Sequence, residues 1–308
     1  MARAEEVDQP RFAFGKNWLQ FLATVTEDSV RASEAALLDM LGRTTLDGLR
    51  FLDVGSGSGL SSLAAVRQGA SVVSLDYDPH SVRASLDLKE RWEPAADWVI
   101  RQGSILDKPF LESLGRFDIV YSWGVLHHTG SMWEAIVNAS DMVATGGRFF
   151  ISIYNDQGYT SRIWTEVKRA YVEGSPATKQ FLLVAARSFF RAKQEAGWVL
   201  SWSVHIAAVG KFAVSGRPRR TKERMRERGM SRTHDMIDWV GGYPFEVAKP
   251  EEIFQFVEDR GFKMTNLKTC AGGIGCNQFV FELSGGSAAE NEVVSLNGSS
   301  SAATTYVP

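Results

Sequence analysis

Only two cysteines, Cys270 and Cys276, occur in 308 residues. That excludes a disulfide framework, and two free thiols suit a reducing compartment. An excess of charge is missing too: 34 Lys and Arg against 36 Asp and Glu leave a formal net charge of −2. No global positive field therefore draws the chain to nucleic acid or to an anionic membrane. Long apolar runs are absent: the stretch Phe181–Phe190 (FLLVAARSFF) is about half of the roughly 18 residues that a membrane helix needs, and reads as a buried or amphipathic helix. The opening MARAEEVDQPRF lacks the apolar centre of a signal peptide. These absences predict a cytoplasmic protein with no membrane span. No internal repeat is present. What remains is 44% hydrophobic and 23% charged, enough for a substantial core, in one large domain with an insertion or in two small domains.

Along the chain, residues 1–48 carry apolar side chains at three- and four-residue spacing, which predicts helices over Asn17–Ala23 and Ser29–Leu41 in an N-terminal cap. From Leu49 the pattern changes to short apolar runs: Arg50–Val54, Ser71–Leu75, Trp98–Arg101, Phe117–Tyr121 and Arg148–Ile153. Helical stretches follow most of them, over Leu60–Arg67, Pro79–Trp92 and Met132–Val143. Strand and helix in alternation predict a parallel sheet covered on both faces, here spanning 49–155. Residues 156–248 break the alternation and read as a helical insertion after the fifth strand. Residues 249–284 complete the core with helix Pro250–Arg260, closed by Gly261, and two runs, Lys263–Thr269 and Gln278–Leu283, about a Gly-rich turn. Residues 285–308, rich in Ser, Ala, Gly and Asn, read as a disordered tail. The predicted fold is α/β and Rossmann-like: a seven-stranded, mostly parallel sheet with one antiparallel strand, N-terminal helices and the helical insertion.

The run Phe51-Leu52-Asp53-Val54-Gly55-Ser56-Gly57-Ser58-Gly59-Leu60 leads a strand through three alternating glycines into a helix. Glycines there allow a sharp turn and the close approach of a ligand, and the helix aims free N–H groups at it. The dinucleotide spacing G-x-G-x-x-G does not fit: six residues on from Gly55 or Gly57 stand Leu60 or Ser62. The absence of Lys-Ser/Thr after the glycines excludes a P-loop. The pattern that remains is D-x-G-x-G-x-G. A carboxylate at Asp53 repels a pyrophosphate and attracts an ammonium. S-adenosylmethionine carries an ammonium and a sulfonium, and no phosphate. A second strand ends in Asp76, placed to accept both hydroxyls of a ribose, and Tyr77 can lie against an adenine ring.

The segments LDVGSGSG, SLDYD and FDIVYSWGVLHHTG together resemble the motifs of the class I S-adenosylmethionine-dependent methyltransferases, over roughly Arg50–Asn155 and the final strand pair. The resemblance implies that Asp53, Gly55, Ser56, Gly57 and Gly59 hold the methionine part of the cofactor and Asp76 the ribose, with Ser104 and Ile105 beside the adenine. Ser104 stands where many members carry an acid, which leaves that contact to Ile105 and its backbone N–H. Reaction class follows from the resemblance, and substrate does not.

Methyl transfer from a sulfonium is an in-line displacement, so alignment of the partners dominates and a base assists where the nucleophile is a hydroxyl. The fourth strand ends at Trp123, a cofactor-pocket candidate, and His127 and His128 follow, His being suited to proton transfer near neutral pH. Tyr154, at the end of the fifth strand, is a further catalytic candidate. In the insertion, Arg217–Arg228 is strongly basic; it reads as a solvated helix face or as a clamp for an anionic substrate. Beyond it His234 and Asp238, four apart, share a helix face ahead of Gly241-Gly242, and His234 is the fourth catalytic candidate. Spacing offers no third metal ligand. Phe12–Trp18 is expected to cap the cofactor. The expected activity is methyl transfer to a small-molecule acceptor, lipid-like or quinone-like, at oxygen ahead of nitrogen or carbon. An RNA-modifying methyltransferase and a non-catalytic cofactor-binding subunit are the alternatives. The basic segment favours the first of these, and the near-neutral charge opposes it.

Overall fold

Seven strands meet in one sheet in the order β3-β2-β1-β4-β5-β7-β6. The computed structural model describes residues 10–208 and 232–285. Strands β1 (Arg50–Val54), β2 (Ser71–Asp76), β3 (Trp98–Gln102), β4 (Phe117–Trp123) and β5 (Val143–Tyr154) run parallel. Strand β7 (Cys276–Leu283) lies antiparallel between β5 and β6 (Phe262–Lys268). This is the predicted sheet, with its one antiparallel strand. The order reverses beside β1, so the carboxyl ends of β1 and β4 diverge into the crevice where open α/β sheets bind ligands.

Alternation along the strands divides the core into two layers. Leu52, Val120, Phe149 and Phe281 face α6 (Met132–Asp141) and α10 (Pro250–Glu258), which contribute Ile136 and Val257. Phe51, Ile119, Phe150 and Val280 face α2 (Glu27–Leu41) and α3 (Leu60–Arg67), which contribute Leu37 and Leu63. Helix α2 starts at Thr26 with a reciprocal cap, Ser29 N–H on Thr26 Oγ1 and Thr26 N–H on Ser29 Oγ, and stops at Gly42 in the left-handed conformation. Helix α4 (Pro79–Trp92) opens on Asp78, which accepts the His80 N–H, with Pro79 where a missing N–H costs nothing.

The helices between β5 and α10 form a third layer. Helices α7 (Tyr159–Glu173), α8 (Pro176–Ala208) and α9 (Arg232–Gly241) pack about Trp164, Tyr171 and Val240, with Trp164 edge-on to Trp239 at 4.2 Å between ring centroids. Phe181–Phe190 belongs to α8 and is amphipathic there: Phe181 is 69% exposed, while Ala186 is buried. Among the described residues no helix is long and apolar enough to cross a membrane.

Three departures from the sequence reading have local causes. Strand β5 begins at Val143 rather than Arg148, because its pairing with β4 absorbs an irregularity between Phe117 and Ile119 that the polar ATGG segment conceals. Accordingly α6 stops at Asp141, short of Val143. A short helix α5 (Lys108–Glu112), capped by Asp107 on the Phe110 N–H, had too few residues to show periodicity. The basic segment 217–228 and nearly all of the expected tail, 286–308, lie outside the described residues.

Candidate functional site

The glycine turn leaves β1 with φ of 77° at Gly55 and 55° at Gly57, a region that side chains disfavour. Space is short as well, more so at Gly55 than at Gly57. A Cβ on Gly55 would lie 2.3 Å from the Val125 side chain, and one on Gly57 would lie 3.0 Å from Trp18 Nε1. Ser56 Oγ meets Ser85 Oγ at 3.2 Å, which ties the turn to α4.

Both acids stand at this turn. Asp53 is buried, and its Oδ2 accepts from Ser62 Oγ at 2.5 Å. Ser62 continues to Ser74 Oγ at 2.6 Å, which accepts from Trp98 Nε1 at 2.6 Å. Burial pushes Asp53 up to about 7, against the Ser62 hydrogen bond and with the Asp76 charge adding to it. Asp76 Oδ2 accepts from Gly57 N–H and Oδ1 from Asp78 N–H, each at 2.9 Å, and burial raises it to about 6. Ser81 adds a third hydrogen bond from its side chain, and of the four directions in which a carboxylate accepts this leaves Asp76 one.

A cavity of about 760 Å³ begins at these groups. Gly103, Ser104 and Ile105 line the end nearest β3, with Tyr77. Ser104 Oγ accepts the Leu106 N–H at 3.1 Å, and the Ile105 carbonyl accepts from Asn138 Nδ2 at 3.0 Å. Tyr77 is 53% exposed beneath the Arg11 guanidinium, 5.4 Å from the ring centroid. Trp123 lines the middle of the cavity.

Of the two histidines, His128 lines the cavity; His127 is 0% exposed behind it. His128 Nδ1 lies 2.6 Å from the Pro244 carbonyl. A carbonyl only accepts, so Nδ1 carries the proton and Nε2 is left as the acceptor of the ring. Burial, with Lys168 beside it, lowers His128 to about 3. Burial also holds His127 well below the ordinary histidine value. Tyr154 lines the cavity and packs against both rings, tilted to His127 at 4.3 Å between centroids and edge-on to His128 at 5.7 Å. His234 falls on α9, and its side chain lies outside the described residues, so the face it was expected to share with Asp238 is not described.

The cover is built from distant segments. Phe12 N–H donates to the Tyr243 carbonyl at 3.0 Å, Gly15 N–H to Asp78 Oδ2 at 2.9 Å, and Asn17 Nδ2 to Asp238 Oδ1 at 2.8 Å. Gly241 and Gly242 permit this closure: a Cβ on Gly241 would lie 2.4 Å from the Phe12 ring, and one on Gly242 2.7 Å from His128 Cε1. Glu246 then accepts the Met132 N–H at the start of α6, and its own N–H donates to the His127 carbonyl at 2.9 Å.

Sequence reasoning missed Lys168. It is 0% exposed on α7, its Nζ donates to the Trp239 carbonyl, and the rings of Trp239 and Phe245 lie 4.4 and 4.6 Å away. Burial lowers it to about 7. A lysine among helix-face charges carries no local mark of burial.

Comparison with known proteins follows the same segments. Residues 52–151 match the family described as methyltransferase domain. This segment is a class I methyltransferase domain. The biotin biosynthesis bifunctional protein BioHC of Cellvibrio japonicus (strain Ueda107) is 32% identical over 201 residues, 63% of this chain and 36% of that protein. The ubiquinone biosynthesis O-methyltransferase of Coxiella burnetii is 29% identical over 128 residues, 42% of this chain and 53% of that one. The chain thus spans from about a third to about half of the length of these curated relatives. A crystal structure of magnesium protoporphyrin IX methyltransferase from Synechocystis PCC 6803 with bound SAH overlays with a TM-score of 0.48 at 13% identity, over 83% of this chain and 84% of that one.

Domains of this class take S-adenosylmethionine as methyl donor, and the donor set at the glycine turn fits it. Two buried carboxylates with raised proton affinity favour a cation, and would oppose a pyrophosphate. Five aspartates line the cavity, Asp39, Asp53, Asp76, Asp78 and Asp238, against the cations Arg11 and Lys268. The anionic acceptor that the basic segment suggested thus has little counterpart in the described lining.

Proposed function

We propose that this protein transfers a methyl group from S-adenosylmethionine to the oxygen of a small, ring-bearing acceptor of quinone-like or lipid-like character. The observation that carries the reading is one continuous cavity, with the glycine turn and Asp76 at one end and His128 and Tyr154 further along it. When bound, the cofactor supplies a methyl carbon activated by its sulfonium. Asp53, Gly55, Ser56, Gly57 and Gly59 are assigned to its amino-acid part, Asp76 and Tyr77 to its ribose and adenine, and Ser104, Ile105 and Trp123 to the walls about it.

The protein's own contribution is alignment and the acceptance of a proton. Phe12, Phe14, Tyr154 and Trp239 present aromatic walls suited to a flat acceptor. His128, neutral with a free Nε2, accepts a hydrogen bond from the acceptor hydroxyl and so aims the oxygen. An oxygen undergoing alkylation becomes a strong acid, so a base with a value near 3 suffices to take its proton during the transfer. The cover formed by residues 12–17 and α9 keeps water from competing. The test is incubation with methyl-labelled cofactor and fractionated metabolite extract, followed by mass analysis of labelled products. Label in a phenolic or enolic fraction, lost in His128→Ala, is the expected result. The absence of label from every fraction, with cofactor binding intact, would instead favour a non-catalytic binding role.

A further inference from the structure

Strand register fixes what lies beyond the catalytic end of the cavity. Tyr121, Trp123, Phe150, Ser152 and Tyr154 alternate onto one face of β4 and β5, because Tyr121 pairs with Phe150 and Trp123 with Ser152. Across the next pairings, Ser152 meets Gln278 and Gln278 meets Lys268, which extends that face to the edge of the sheet. Helix α2 crosses the same face, anchored where Asn266 Nδ2 donates to the Met40 carbonyl at 3.0 Å. Between helix and sheet the cavity continues: Leu37, Met40 and Phe150 line its apolar part, and Asp39, Gln278 and Lys268 its far end. Asp39 and Lys268 are exposed, so this end opens to solvent.

Length decides what such a cavity holds. From the loop after β3 to the end of β6 there are six strand intervals, about 4.8 Å each and so roughly 29 Å in all. The groups assigned to the cofactor stop at β4, three intervals along. The three intervals left, roughly 14 Å, exceed what a single ring fills.

We propose that this outer half is a slot for an elongated acceptor, with its reactive ring at His128 and Tyr154 and an unbranched apolar arm laid along Leu37, Met40 and Phe150 toward Lys268. This deepens the methyl-transfer reading and rests on it. The slot selects amphiphilic acceptors over compact ones, because each methylene of the arm leaves water on entry.

The test is a calorimetric series of 4-methylphenol, 4-butylphenol and 4-octylphenol with the full chain, run with and without S-adenosylhomocysteine. Affinity is expected to rise about fourfold per added methylene. Met40→Trp and, at the less buried far end, Gln278→Trp are each expected to flatten the rise beyond the butyl compound. A flat series in the wild type, or an equally steep one in folded forms of both variants, would overturn the slot. Failure of S-adenosylhomocysteine to bind would overturn the donor reading alone, since the chain-length series is read independently of it.

Discussion

At Asp76 both carboxylate oxygens already accept a backbone N–H, so the side chain is fixed before any ligand arrives. Asp76→Ala removes two acceptors at once, and calorimetry is expected to show a loss of roughly a hundredfold in S-adenosylmethionine affinity. Unchanged affinity would detach this residue from the ribose. Asp53 and Asp76 also make binding depend on pH. Both are raised by burial, to about 7 and about 6, so the ligand-free protein takes up a proton on each as pH falls through those values. A raised carboxylate contributes stability that is present below the unfolded value and lost as pH rises through the folded one. A cation favours the ionised forms, so its Kd should weaken from pH 8 to pH 5, by about tenfold per unit once a group is protonated. A Kd independent of pH would place the cation elsewhere. The histidines separate in the same way. His128→Ala is expected to lower kcat about a hundredfold with cofactor affinity nearly intact. His127→Ala, behind it, should act mainly on stability; an equal kcat loss in both would reverse the assignment.

Helix α7 holds the element-scale consequence, because it buries an ammonium beneath α9. Lys168 has a folded value of about 7, well below the ordinary 10.5. The unfolded chain therefore binds the extra proton between those values, and stability should rise with pH across that window. Relative to Lys168→Met, which cannot titrate, the wild type is expected to gain roughly 1 kcal/mol per pH unit from 7 to 9 in denaturant unfolding. Parallel curves for the two proteins would show that the lysine titrates normally. The elements themselves were largely legible. Arg50–Val54, Leu60–Arg67 and Pro79–Trp92 fall on their predicted bounds, because an apolar strand, a glycine turn and a Pro-led cap are local signals. Strand β5 and helix α5 were misjudged where pairing partners or a single capped turn, rather than periodicity, define the element.

On the scale of the whole molecule, the cavity is closed by segments more than two hundred residues apart. Asn17 joins Asp238 across 221 positions, and Phe12 reaches Tyr243. Asn17→Ala should speed S-adenosylhomocysteine release about tenfold, the worth of one hydrogen bond to a charged group. Stopped-flow dissociation measures it, and an unaltered rate would mean that this contact does not hold the cover shut. The cover also explains the Gly241-Gly242 pair, conspicuous in the sequence. There the glycines make room for the Phe12 and His128 rings.

What the sequence alone determined is the order of the strands and of the longer helices, the glycine turn and its two acids, because each depends on residues a few positions apart and on the φ values that a bare backbone permits. The tertiary structure alone decided that His128 and not His127 lines the cavity, that Lys168 is buried, and that α2 roofs a slot running to β6. Those facts turn on which side chains meet after helices dock across the sheet, and local spacing carries no record of that meeting.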